Sequence, residues 1–186
     1  MAASHVALLR GINVGRAKRV AMADLRALVE DLGYRDVRTL LNSGNVVFTI
    51  PASVRGDPAA RIEQSLAGRT GVESRVTILT GAELASAVAK NPLAKLARNP
   101  SRMMVAVPRR PADRASLLPL GRRDWSPEAF ALGARVAYLW CPEGIIESPL
   151  AQAVGRAMGD AVTTRNWATM TKLHDLAAAA SGGRGR

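Results

Sequence analysis

Cysteine is nearly absent from this chain, with one thiol, Cys141, in 186 residues. No intramolecular disulfide can form, so any fold must rest on its apolar core. Histidine is almost as scarce: His5 and His174 are the only two. With a single thiol beside them, no Cys/His set has the spacing of a zinc site. Long apolar runs are missing as well, and nothing approaches the ~18 residues of a membrane span. Near the N-terminus the run Val6 to Leu9 ends at Arg10, too short for the apolar stretch of a secretory signal. Together these shortages point to a cytoplasmic protein in a reducing compartment, with no metal, no cofactor and no membrane partner expected.

Aromatic residues are thin too, at 4%. Only Phe48 falls in an expected strand of the first half, while Tyr138 and Trp140 alternate along one strand of the second. A base-stacking sheet needs aromatics on one face of its central strands, so core packing explains these better.

Positive charge is what the chain has in excess. Lys+Arg number 26 against 15 Asp+Glu, a net charge of +11. Such a basic protein attracts phosphate-bearing partners, most strongly at low salt. The excess is spread over both halves, with 12 basic against 8 acidic residues in 1–90 and 14 against 7 in 91–186. Only four of the cations are lysine. Heavy arginine and alanine use is also what a GC-rich coding sequence produces, so selection for anionic partners and plain composition both stand.

Periodicity places the elements. Residues 4–10 read as a buried strand. Leu25, Leu28, Val29 and Leu32 recur at helical spacing before Gly33. Val37–Leu41 and Val46–Ile50 read as strands about the turn Asn42-Ser43-Gly44-Asn45, where Gly and Asn tolerate positive φ. Asp57-Pro58 opens a second helix that ends near Gly71, and residues 74–79 form a strand. The order β-α-β-β-α-β is the split βαβ, or ferredoxin-like, pattern. Thr80 and Glu83 have capping-box spacing at the start of a linking helix. The pairs Asn91-Pro92 and Asn99-Pro100 mark a junction. Beyond it come a strand at 102–107, a helix at 111–119, strands at 129–132 and 135–141, a helix at 149–158 and a last helix at 167–180. The second half therefore repeats the first without its final strand. The expected fold is α+β: tandem ferredoxin-like units with an extra C-terminal helix. The expected divisions are 1–90, the junction 91–101, 102–180, and a mobile Gly/Arg-rich tail, 181–186.

Three segments carry candidate binding residues. In Arg10-Gly11-Ile12-Asn13-Val14-Gly15, followed by Arg16, Lys18 and Arg19, the glycines allow close backbone approach and the cations precede a helix N-terminus, where anions are favoured. The spacing is that of neither a P-loop nor Gly-x-Gly-x-x-Gly, and two glycines required by a turn explain it equally well. Asn42, Ser43 and Asn45 offer polar side chains in the hairpin turn, but in a ferredoxin-like order that turn is expected to open opposite the loop after the first strand. Arg165, Asn166 and Trp167 precede the last helix. Asn166 suits its N-cap and Met170, Leu173 and Ala177 its buried stripe; the same trio exposed could stack on a base and hold a phosphate. Cys141 reads as a small buried hydrophobe, His174 as a packing residue, and Glu143 and Glu147 as solvated loop acids.

Four stretches taken together are similar to a widespread bacterial family. They are Leu8 to Gly15, Val20 to Arg26, Arg38 to Phe48, and Thr164 to Trp167 with Lys172-Leu173. The chain resembles domain-of-unknown-function family 1697 over about residues 4–177, with Arg16 where that family often has a second glycine. The resemblance implies an α+β fold with ferredoxin-like elements and brings no activity, cofactor or catalytic residue. Three functions remain open: a binding module for a phosphate-bearing ligand (nucleotide or nucleic acid), an enzyme acting on a small anionic substrate between the two units, or a structural and interaction protein.

Overall fold

In a computed structural model, residues 3–15 and 19–182 are described; Arg16, Lys18 and the tail residues 183–186 lie outside them. The chain divides into two compact units, Met1–Ala82 with Leu173–Arg186, and Glu83–Lys172.

The first unit opens with β1 (Ser4–Leu9), then α1 (Met22–Asp31), β2 (Arg35–Leu40), β3 (Asn45–Thr49), α2 (Pro58–Thr70) and β4 (Val76–Thr80). Its sheet has the order β2-β3-β1-β4, antiparallel throughout, which is the ferredoxin-like arrangement. One face of the sheet and the two helices enclose a core that includes Ala7, Leu9, Leu25, Leu28, Val46, Phe48, Ile62 and Leu66. The apolar residues of α1 and α2 fall at helical spacing, so each helix buries one stripe there. Asp57 caps α2 by accepting from the Ala59 and Ala60 N–H groups, Pro58 takes the first position, and Gly71 ends the helix at φ +68°.

The second unit repeats this order. After α3 (Gly81–Ala89) come β5 (Met103–Pro108), β6 (Ala129–Leu132), β7 (Ala137–Trp140), α4 (Pro149–Met158) and β8 (Val162–Asn166), and then α5 (Trp167–Gly182), which from Leu173 on belongs to the first unit. The sheet order β6-β7-β5-β8 matches that of the first unit, so the fold is α+β with two four-stranded antiparallel sheets and a C-terminal helix. Leu117, Leu139, Leu150, Val154 and Val162 share its core.

The structure corrects the sequence reading at three places in this half. A final strand is present: β8 pairs with β5 from Met104↔Asn166 to Pro108↔Val162. Residues 111–122 wind as 3-10 helix, not α-helix. Pro119 lies inside this segment, where it removes the donor an α-helical turn needs and its ring meets the carbonyl four residues back. Leu117 and Leu120, three apart, still face the core, as three residues per turn allow. The last helix runs on to Gly182, two residues into the expected tail.

Candidate functional site

The loop after β1 and the turn between β2 and β3 meet, contrary to the expectation from sequence. Both β1 and β2 run antiparallel to β3. They therefore point the same way and finish at the same end of the sheet. The Leu9 N–H donates to the Gly44 carbonyl at 2.8 Å. The loop before β4 arrives there too: the Arg10 N–H donates to Arg75 O at 2.9 Å, and Ser74 Oγ donates to Arg10 O at 2.9 Å.

Asn13 organises this end. Its Oδ1 accepts from the Val20 N–H at 2.8 Å, and its Nδ2 donates to the Val20 and Asn42 carbonyls, each at 2.8 Å. The amide thus imitates a strand partner for Val20 and pins the Asn42 turn with its second hydrogen. These bonds close the neck of the segment 14–19, whose sequence carries Gly15, Arg16, Lys18 and Arg19. Asn13 sits at φ +56°, a region Asn tolerates better than most residues. Asn45, fully buried, donates to Leu40 O at 2.8 Å and to Ser43 Oγ at 3.0 Å, fastening the turn from below.

The glycines differ in their reasons. Gly44 (φ +79°) lies so close to its neighbours that a Cβ would stand 2.7 Å from Ile12 Cδ1 and 2.8 Å from Leu9 Cβ. Among the described residues, nothing lies within 4 Å of where a Cβ would be on Gly11 or Gly15 (φ +68° and +61°). Their demand is conformational, and their surroundings are open. The turn's positive φ values fall on Leu41 and Gly44 rather than on an asparagine. Leu41, at φ +57°, is 53% exposed, and Val14 beside the neck is 69% exposed. At the far side of the loop, the N-cap position of α1 is Ala21, which makes no side-chain hydrogen bond to the helix.

In the second unit, the trio 165–167 is placed by β8 and α5. Asn166 Oδ1 accepts from the Thr169 N–H at 2.9 Å, the N-cap expected from sequence. Trp167 packs edge-on against Tyr138, with ring centroids 6.4 Å apart. Arg165 donates to Thr164 O at 3.0 Å, and burial pulls its guanidinium down to about 10, still charged at neutral pH. Cys141 is buried and donates to Ser148 Oγ at 3.4 Å; burial pushes its thiol up, away from nucleophilic use. His174 is half-buried, with Nδ1 3.4 Å from Asp175 Oδ1. Among the described residues no group of three His, Cys, Asp or Glu is placed to hold a metal ion, and no helix is long and apolar enough to cross a membrane.

Glu143 and Glu147 do meet something the sequence did not signal. They line a cavity of about 480 Å³ in the second unit together with Arg123, Trp125 and Pro142. Its walls are two loops, 123–128 and 142–149, about twenty residues apart in the chain. No local spacing could have joined them.

A family model described as "Protein of unknown function (DUF1697)" matches residues 2–138. Among solved structures, the conserved bacterial protein SP0830 from Streptococcus pneumoniae is similar in fold. It is 19% identical, with a TM-score of 0.73, and the match covers 95% of this chain and 99% of that one. No curated protein matches.

Proposed function

This chain belongs to the DUF1697 family of proteins of unknown function, and from that premise we propose that its first unit is a binding module for a phosphate-bearing ligand, a nucleotide or nucleic acid, seated on the Arg10–Arg19 loop. The observation that carries the reading is the pair Gly11 and Gly15, both in left-handed φ with open surroundings among the described residues. Their peptide groups can be approached without a side chain in the way, as a phosphate cradle requires. Two further features support it. The loop leads into the N-terminus of α1, which has no side-chain cap and presents the positive end of the helix dipole. Arg10, Arg16, Lys18 and Arg19 lie on the same segment. Asn13, Asn42 and Asn45 then serve as the frame of the site, and Arg165, Asn166 and Trp167 as the frame of the second unit.

The test is fluorescence anisotropy of labelled single-stranded RNA, duplex DNA and a nucleotide, at roughly 50 and 200 mM salt. Wild type is compared with an Arg16/Lys18/Arg19→Ala variant. Binding that falls steeply with salt and weakens in the variant supports the loop. One observation favours the rival structural reading: the Asn13, Asn45 and Asn166 amides all bond within the fold. If no probe binds at low salt, that reading replaces this one.

A further inference from the structure

We infer that the cavity of the second unit is a separate site for a small organic cation with an apolar body. It lies between the loop entering β6 and the loop leaving β7. Its volume of about 480 Å³ falls within the roughly 300–1,000 Å³ of small-molecule sites.

Charge selects the ligand. The lining holds four carboxylates, Asp124, Glu128, Glu143 and Glu147, against one guanidinium, Arg123. A chain of net charge +11 with 15 acidic residues places four of them around one cavity, where the formal charge is −3. Two of the four have structural work. Asp124 accepts from the Ser126 N–H at 2.9 Å. Glu128 accepts from the Leu150 N–H at 2.9 Å, capping α4 beside Ser148. Glu143 and Glu147 have no hydrogen bond or ion pair among the described residues. These two supply the charge a ligand would answer.

The walls select the body. Trp125 is held in place by its Nε1–H, which donates to Leu120 O at 2.9 Å. Its ring already seats a cation: the Arg123 guanidinium lies 4.3 Å from the ring centroid. The indole face is thus a surface that an exposed side chain already covers, and the apolar body of a ligand can take that place from Arg123. Pro142 and Pro149 add apolar surface that loses little entropy on contact. An ammonium placed between Glu143 and Glu147, with its apolar part against Trp125, satisfies both kinds of wall. A phosphate or carboxylate would be repelled, so this site and the glycine loop take ligands of opposite sign.

The probe is benzyltrimethylammonium, with benzoate as the control of opposite charge. The readout is the Trp125 indole N–H resonance, identified by its loss in Trp125→Phe. The expected result is a saturable shift with benzyltrimethylammonium and none with benzoate. Affinity should fall roughly tenfold or more in Glu143→Gln/Glu147→Gln, whose melting temperature stays at the wild-type value because neither acid has a partner among the described residues. In Arg123→Ala the affinity is unchanged or tighter. The inference is overturned by no saturable shift, by equal response to benzoate, by full affinity in the double variant, or by a loss in Arg123→Ala as large as in the double variant.

Discussion

Asn13 commits both amide hydrogens and its carbonyl oxygen to backbone groups while holding φ at +56°. Two substitutions separate these contributions. Asn13→Gly keeps the backbone conformation and loses three hydrogen bonds, each worth about 1 kcal/mol net, so a loss of roughly 2–3 kcal/mol in chemical denaturation is expected. Asn13→Ala adds strain of about 1 kcal/mol for a Cβ at positive φ. Equal stability of the two variants would remove the conformational part of this account. The glycines divide on the same logic. Gly44→Ala meets both Ile12 and Leu9 and should cost roughly 3 kcal/mol or more, whereas Gly11→Ala and Gly15→Ala should each cost only about 1 kcal/mol of strain. Leu41 reverses the sign. It is an exposed leucine at φ +57°, so Leu41→Gly should raise stability by up to about 1 kcal/mol. A marked loss in that variant would show that the leucine side chain holds the turn. Cys141, buried and pushed up in pKa, should resist a thiol reagent in the native protein and react stoichiometrically once unfolded; rapid native labelling would contradict its burial.

At the scale of elements, the capped helices are the most legible part of the sequence. Asp57-Pro58, Ser148-Pro149 and Asn166 each open a helix where their chemistry says they should, and each cap bond is formed. Asn166→Ala should therefore cost about 1 kcal/mol, measured as a fall in melting temperature with the β8 pairing intact. What periodicity misses is equally specific. In β8 the run Val162-Thr163-Thr164 is β-branched and suits a strand, but it is short and runs straight into the cap of α5, so it reads as the approach to a helix. The 3-10 segment 111–122 holds Pro119, which cannot donate in an α-helical turn, and a count of apolar spacing does not register that. The loop and turn of the candidate site are each recognisable in the sequence, yet their meeting is not. Strand direction decides it: α1 carries the chain back so that β2, across β3 from β1, runs in the same sense as β1, and both end together. The cavity in the second unit could not be read at all, because its acids and its tryptophan come from loops brought together only by the β6–β7 pairing.

For the whole molecule, the question is whether a charge of +11 is a property of the surface or of one loop. Wild-type binding to nucleic acid cannot separate these, because any strongly basic protein binds phosphate chains at low salt. Two variants of equal charge can. Arg16/Lys18/Arg19→Ala and Arg98/Arg122/Arg156→Ala each remove three cations and leave +8. Arg98, Arg122 and Arg156 are exposed and lie in the second unit, away from the glycine loop in the sequence. If attraction is diffuse, both variants lose affinity alike and their salt slopes match. If the loop is the seat, only the first should lose roughly tenfold or more at about 50 mM salt, and its log–log salt slope for single-stranded RNA should shrink by about 0.7 for each phosphate that is no longer neutralised. The pair also bears on the frame residues. Asn13→Gly leaves the net charge at +11 while removing the bonds that tie residue 13 to Val20. A seat that depends on the Asn13–Val20 closure should weaken in this variant even though no cation has been removed, whereas diffuse attraction should leave its affinity unchanged at temperatures where the variant is still folded.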